Sequence, residues 1–174
     1  MLVQIVSCCS GVPQARSIGV SHYCASHLDD VMAVATVTPS INQVEYHVGS
    51  GDLNRVIRKC QSIGTYFMSY SPLCGPCHYT ASNSLIDGDL VNEIASHYPN
   101  VTGSQVSLRW IVQQAIPDAP GYIPYVAGVI PKSDSSSHIA ANIDLFGFEL
   151  TQYDMDTLTG AYKPSGTEGD CGCP

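Results

Sequence analysis

Four short apolar or β-branched segments recur along the chain, at residues 17–20, 41–46, 65–69 and 127–130. Each is bounded by turn residues, as buried strands are. Stretches with helical periodicity separate them, and this alternation restricts the fold more than any other feature. Strands that alternate with helices build βα units, which means a parallel sheet and right-handed crossovers. After the first strand, Ser26-x-x-Asp29 is a capping-box-like start, and Leu28, Val31, Met32 and Ala35 follow at helical spacing. Residues 52–62 carry Leu53, Val56, Ile57 and Cys60 on one face and run out near Gly64, where a C-terminal glycine is expected. Helices are also expected at 90–97 and 104–114, split by the turn at 99–103. A further helix at 136–145 sets Ile139, Ile143 and Phe146 along one side, and Thr151-x-x-Asp154 opens a last one that reaches Leu158. The fold class is therefore α/β, and four βα units make half of an eight-stranded (β/α) barrel.

The bulk numbers bound what such a chain does. With 174 residues, 44% of them hydrophobic, it can bury one packed core. A formal charge of −8 with seven Lys and Arg gives no basic stripe, so nucleic acid is not an expected partner. No apolar run reaches the roughly 18 to 20 residues that span a bilayer, and no membrane association is expected. The first residues lack the basic region of a secretory signal, which points to a cytoplasmic protein. Eight cysteines, at positions 8, 9, 24, 60, 74, 77, 171 and 173, are then expected to be buried small hydrophobes or free thiols. Three regions follow: a short N-terminal segment at 1–14, the αβ body at 15–160, and a Gly/Cys/Pro tail at 161–174 that lacks periodicity.

The strand ends carry motifs that fall in register with a known family. Ile18-Gly19-Val20-Ser21-His22-Tyr23, Asn42-Gln43-Val44-Glu45-Tyr46-His47, Ser69-Tyr70-Ser71-Pro72-Leu73 and Val129-Ile130-Pro131-Lys132-Ser133 resemble the fifth to eighth strands of the aldo-keto reductases. Ser107-Leu108-Arg109-Trp110 and Asn142-Ile143-Asp144-Leu145-Phe146 extend the resemblance, which runs from about Arg16 to Leu158. It implies a TIM-barrel type fold with only the last four βα units present, and a site at the C-terminal ends of the strands. It also implies NADP(H) as cofactor and an aldehyde or ketone as the small-molecule substrate, reduced to an alcohol. By resemblance, Ser21 and Gln43 hydrogen-bond the nicotinamide carboxamide, beside His22, and Tyr70 stacks under the ring. Ser71 and Leu73 line the pyrophosphate. Lys132, Ser133, His138 and Asn142 hold the adenosine end with its 2′-phosphate, Lys132 as the point charge.

Some positions depart from the family pattern. His22 stands where asparagine is commonest, His138 where an arginine forks onto the 2′-phosphate, Ala141 where a glutamate is usual, and Cys74-Gly75 where Gly-Ser is common. The family's tyrosine, which protonates the carbonyl oxygen as general acid, comes from the first half of the barrel, as do the lysine that lowers its pKa, the aspartate paired with that lysine and the histidine that orients the substrate oxygen. No residues here match them, so no catalytic residue is assigned. Four strands also leave two edges and one apolar face uncovered. Self-association of two halves, a separate N-terminal half and a truncated reading frame all stay open, and with them a non-catalytic nucleotide-binding or interaction subunit.

Two rival constellations use cysteine. Cys74-Gly75-Pro76-Cys77 matches the thioredoxin dithiol, but Leu73 precedes it and the helix signal that follows is poor. The same pair with Cys171 and Cys173 has thiolates enough for zinc. The pairs lie far apart in sequence, and no metal is expected.

Overall fold

The computed structural model describes residues 15–52, 55–74 and 84–161. Over them the order is β1 (Gly19–Ser21), α1 (Ala25–Val34), β2 (Ile41–Glu45), α2 (Val56–Ile63), β3 (Tyr66–Tyr70), α3 (Asp89–Ala95), α4 (Gly103–Gln113), β4 (Val126–Ile130), α5 (Ser136–Ile143) and α6 (Gln152–Gly160). The strands form one parallel sheet in the order β1-β2-β3-β4. This is a partial (β/α) barrel. The N-terminal segment, Leu53, Cys77 and the Gly/Cys/Pro tail beyond 161 lie outside the described residues.

Alternation along the strands decides which face carries the core. Asn42 and Val44 of β2 and Phe67 and Ser69 of β3 are buried, while Gln43, Glu45, Met68 and Tyr70 are partly exposed. Successive side chains on a strand point to opposite faces, so one face takes the helices and the other stays half-open. On the covered face Val44 and Phe67 pack with Leu28 of α1, Ile57 and Cys60 of α2, Ile94 of α3, and Val106 and Trp110 of α4. The Trp110 ring stacks on Tyr46 at 5.1 Å between centroids, and Phe67 meets that tyrosine edge-on at 5.4 Å. Such pairs add about 0.5–1.5 kcal/mol to the area they bury. The Tyr46 hydroxyl donates to Gln114 Oε1 at 2.8 Å, so the polar tip of the ring is satisfied. Burial still pushes its pKa well above the ordinary tyrosine range.

The helix starts differ from expectation in instructive ways. Ser26 does not cap α1: the N-cap is Cys24, with no side-chain cap, and Ser26 Oγ lies 3.2 Å from Cys24 Sγ. Ser26 already lies inside the first turn, past the position from which a side chain can cap. The second helix begins at Val56 rather than at residue 52, because Arg55 turns left-handed with φ 56°. Asp52 caps it from outside, accepting the Ile57 and Arg58 amides at 2.8 and 3.3 Å. Gly64 closes it with φ 72°, as the glycine position predicts. A capping box of Thr102 and Gln105 opens α4, and Thr151 accepts from the Asp154 amide at 3.1 Å to open α6.

The last unit is bare where the others are covered. No residue of α5 is buried, and Ile139, Ile143 and Phe146 are 48%, 69% and 71% exposed. Among the described residues, no helix is long and apolar enough to cross a membrane.

Candidate functional site

A parallel sheet sends all its strand C-termini to one end, where βα loops gather. At the end of β1, Ser21 lies opposite Gln43 in the ladder, with its Oγ 3.5 Å from the Gln43 carbonyl. The chain then leaves the sheet at His22, which has φ 60° while its amide donates to the same carbonyl at 2.8 Å. Buried Asn42 secures the exit from below, its Nδ2 donating to the Tyr23 carbonyl at 2.8 Å. Thus pinned, the His22 side chain reaches over β2 to β3, where Nδ1 lies 2.7 Å from the Tyr70 hydroxyl. Tyr70 ends β3 and is partly exposed. Ser71 at φ 48° and Cys74 at φ 55° then make a tight turn, closed by the Cys74 amide on the Ser71 carbonyl at 2.8 Å, with Leu73 partly exposed on it.

A second group surrounds the exit of β4. Lys132 is exposed two residues beyond the strand, and Ser133 Oγ accepts the Ser135 amide at 3.2 Å. Ser135 caps α5 by accepting the His138 amide. His138 is exposed, and Asn142, one turn on, lines a cleft of about 300 Å³ with Val112, Val129, Pro131 and Ile139. The motifs at 107–110 and 142–146 meet beside it. Arg109 donates to the Leu145 carbonyl at 3.2 Å and to Gln113 Oε1 at 3.0 Å, and its guanidinium lies 5.8 Å from the centre of the Phe146 ring. Burial pulls the Arg109 pKa down, against the nearby Glu149 charge. The ten residues singled out from the sequence therefore fall into two groups, one across β1 to β3 and one from β4 into α5.

Other features were not expected. Buried His47 sits two residues past Glu45, with Nε2 3.7 Å from Glu45 Oε1 and Nδ1 2.9 Å from the Val48 carbonyl. A carbonyl only accepts, so a proton sits on Nδ1. Burial lowers the His47 pKa, opposed by that carbonyl and by Glu45. The i, i+2 spacing at a strand end was the available signal. The expectation of free thiols is corrected in part, since Cys24 and Cys74 each take part in a disulfide and are buried. Cys60 is free and buried, and burial raises its pKa, partly offset by Asn42. Among the described residues no His, Cys, Asp and Glu cluster has the makings of a metal site, while Cys77, Cys171 and Cys173 lie outside them.

The sequence profile of the Aldo/keto reductase family matches residues 14–163. The chain belongs to this family. It is 36% identical over 152 residues to an aldo-keto reductase of Mycobacterium bovis, covering 86% of this chain and 46% of that protein. A glyoxal reductase of Bacillus subtilis is 31% identical over 153 residues, covering 85% and 46%. Among solved structures, an aldo-keto reductase from a Medee basin deep-sea metagenome library superposes with a TM-score of 0.69 at 28% identity, covering 88% of this chain and 52% of that one. The chain thus spans about half the length of the curated relatives it matches. As a member of this family, it has four parallel strands of a partial (β/α) barrel.

Proposed function

We propose that this chain is the dinucleotide-binding half of an NADPH-dependent carbonyl reductase. The observation that carries the reading is that Ser21 and His22 at the end of β1 flank β2 together with Tyr70 at the end of β3, Ser21 level with Gln43 in the ladder and His22 bonded to Tyr70. The residues fit the group. Gln43 and Tyr70 share the half-open face of adjacent strands, two ladder positions apart, so one face offers an amide able to both donate and accept and an aromatic ring, which is what a planar carboxamide and its ring require. Ser71 and Leu73 lie on the turn that follows, for the pyrophosphate. Lys132, Ser133, His138 and Asn142 would hold the adenosine end, with the exposed ammonium of Lys132 for the 2′-phosphate. When bound, the reduced dinucleotide supplies the hydride that turns an aldehyde or ketone into an alcohol.

The proton for the carbonyl oxygen is assigned to no residue of this chain. We propose that it comes from four further βα units that complete the barrel, whether joined upstream or supplied by a separate half. The glyoxal reductase relative supports a small carbonyl substrate, and we place the activity in the cytoplasm. A non-catalytic nucleotide-binding or interaction subunit is the second reading. Titration with NADPH, followed by the fluorescence of the single tryptophan and by mass in solution, tests the proposal. Saturable binding that is lost in Tyr70→Ala and weakened in Lys132→Ala supports it, and turnover of a carbonyl substrate by the completed barrel separates the enzyme from the subunit. A folded chain that binds no NADPH overturns it.

A further inference from the structure

We infer that His22 acts on the cofactor through Tyr70: it is a positioning residue that fixes the Tyr70 ring as the nicotinamide platform. The inference rests on the dinucleotide reading above and assigns His22 a task different from touching the carboxamide. The main chain at His22 is anchored twice, by its own amide on the Gln43 carbonyl at 2.8 Å and by Asn42 on the Tyr23 carbonyl at 2.8 Å. From this base the imidazole spans from the end of β1 to the end of β3, and Nδ1 meets the Tyr70 hydroxyl at 2.7 Å. The rings are 6.1 Å apart between centroids and tilted by 43°, so the contact is made through the hydroxyl and leaves the ring faces unstacked against each other. A hydrogen bond to the phenol hydroxyl narrows the torsions that the ring samples, and holding it in one rotamer before the ligand arrives lowers the ordering cost of binding.

The geometry also separates two tasks. The nitrogen committed to Tyr70, Nδ1, is not offered to the carboxamide, and the inference assigns that group to Gln43 and Ser21. The left-handed backbone at His22, φ 60°, is what turns its side chain along the strand ends. Tautomer decides only which partner donates, since a phenol can give or accept the proton and Nδ1 can do either.

The test is a double-mutant cycle on NADPH affinity, with nitrogen NMR of the His22 ring in the chain without cofactor. His22→Ala and Tyr70→Phe are each expected to weaken binding by about two- to tenfold, the range for loss of one hydrogen bond. The double variant is expected to lose no more than either single one. In the spectrum, Tyr70→Phe is expected to shift the His22 Nδ1 resonance, which a residue that merely supports the fold would not show. The His22→Asn variant keeps a polar atom near the position of Nδ1 and is expected to restore part of the affinity, while His22→Leu is not. Binding unchanged in His22→Ala, additive losses, or an Nδ1 resonance indifferent to Tyr70→Phe would overturn the inference while the dinucleotide reading stands. Wild-type chain that binds no NADPH removes the dinucleotide reading and this inference with it.

Discussion

The phenolic hydroxyl of Tyr98, just beyond α3, donates to Asp154 Oδ2 at 2.5 Å in the first turn of α6. Asp154 is 1% exposed, and it also accepts from Thr151 Oγ1 at 2.7 Å and pairs with His97 Nδ1 at 3.1 Å. The Thr151 amide in turn donates to the Tyr98 hydroxyl at 2.9 Å. One buried carboxylate therefore fastens the last described helix to the middle of the chain. Asp154→Ala leaves those donors facing a hole, and the expected cost is about 2–4 kcal/mol. A urea midpoint that moves by less than the error of the measurement would contradict the assignment.

The same carboxylate sets an acid limit. Burial alone would raise the Asp154 pKa, but hydrogen bonds from Tyr98, Thr151 and His97 outweigh it and hold the carboxyl below its ordinary range. With the folded value below the unfolded one near about 3.9, the unfolded chain binds more protons between the two. The stabilisation is present above about pH 4 and is lost as pH falls through the folded value. Melting temperature against pH is expected to drop more steeply below about pH 4 in the wild type than in Asp154→Asn.

His47 gives a second, separate window. Its pKa is lowered by burial, so in the unfolded chain the ring takes up its proton near about pH 6.5 while the folded ring is still neutral. Stability is therefore full above that value and declines as pH falls from about 6.5 towards the folded pKa. His47→Gln is expected to flatten the melting curve in this range and to leave the Asp154 window untouched.

How much of this was legible in the sequence depends on the range over which each feature is decided. The four strands were read from local apolar runs, and Gly64 and Thr151 marked helix ends because a cap needs only its own few residues. Ser26 misled because it is a good capping residue, while the helix start is set by where the chain leaves β1 and the true N-cap is Cys24. The start of α2 was misplaced because Arg55 takes a left-handed conformation that its side chain does not advertise. Family motifs brought out Ser21, Gln43, Tyr70 and Lys132. The bond between His22 and Tyr70 joins residues 48 apart, and no local pattern encodes it. Asp154 was read only as part of a helix cap, because its partners His97 and Tyr98 come from another unit.

Close packing of two helices predicts a sharp contrast between glycines. A Cβ added at Gly103 would stand 2.7 Å from both the Ile86 carbonyl oxygen and Val91 Cγ2, whereas one added at Gly147 meets nothing within 4 Å. Backbone and a buried valine cannot both retreat, so Gly103→Ala is expected to destabilise by about 1–3 kcal/mol through overpacking. Gly147→Ala is expected to stay within about 0.5 kcal/mol. Equal denaturation midpoints for the two variants would show that α3 and α4 do not approach so closely.

Cofactor choice tests the second group of residues. His138 stands where a guanidinium is expected, so on the proposed reading the 2′-phosphate falls to the exposed ammonium of Lys132, with Ser133 next in sequence. A point charge in water is screened and makes no fork, so its contribution is expected to be about 1 kcal/mol. Lys132→Met should then weaken NADPH by about fivefold and leave NADH, which lacks that phosphate, almost unchanged. The NADPH affinity of the wild type should fall as salt rises, and that slope should shrink in the variant. Equal losses for both dinucleotides would mean that Lys132 supports the β4–α5 turn instead of binding the phosphate.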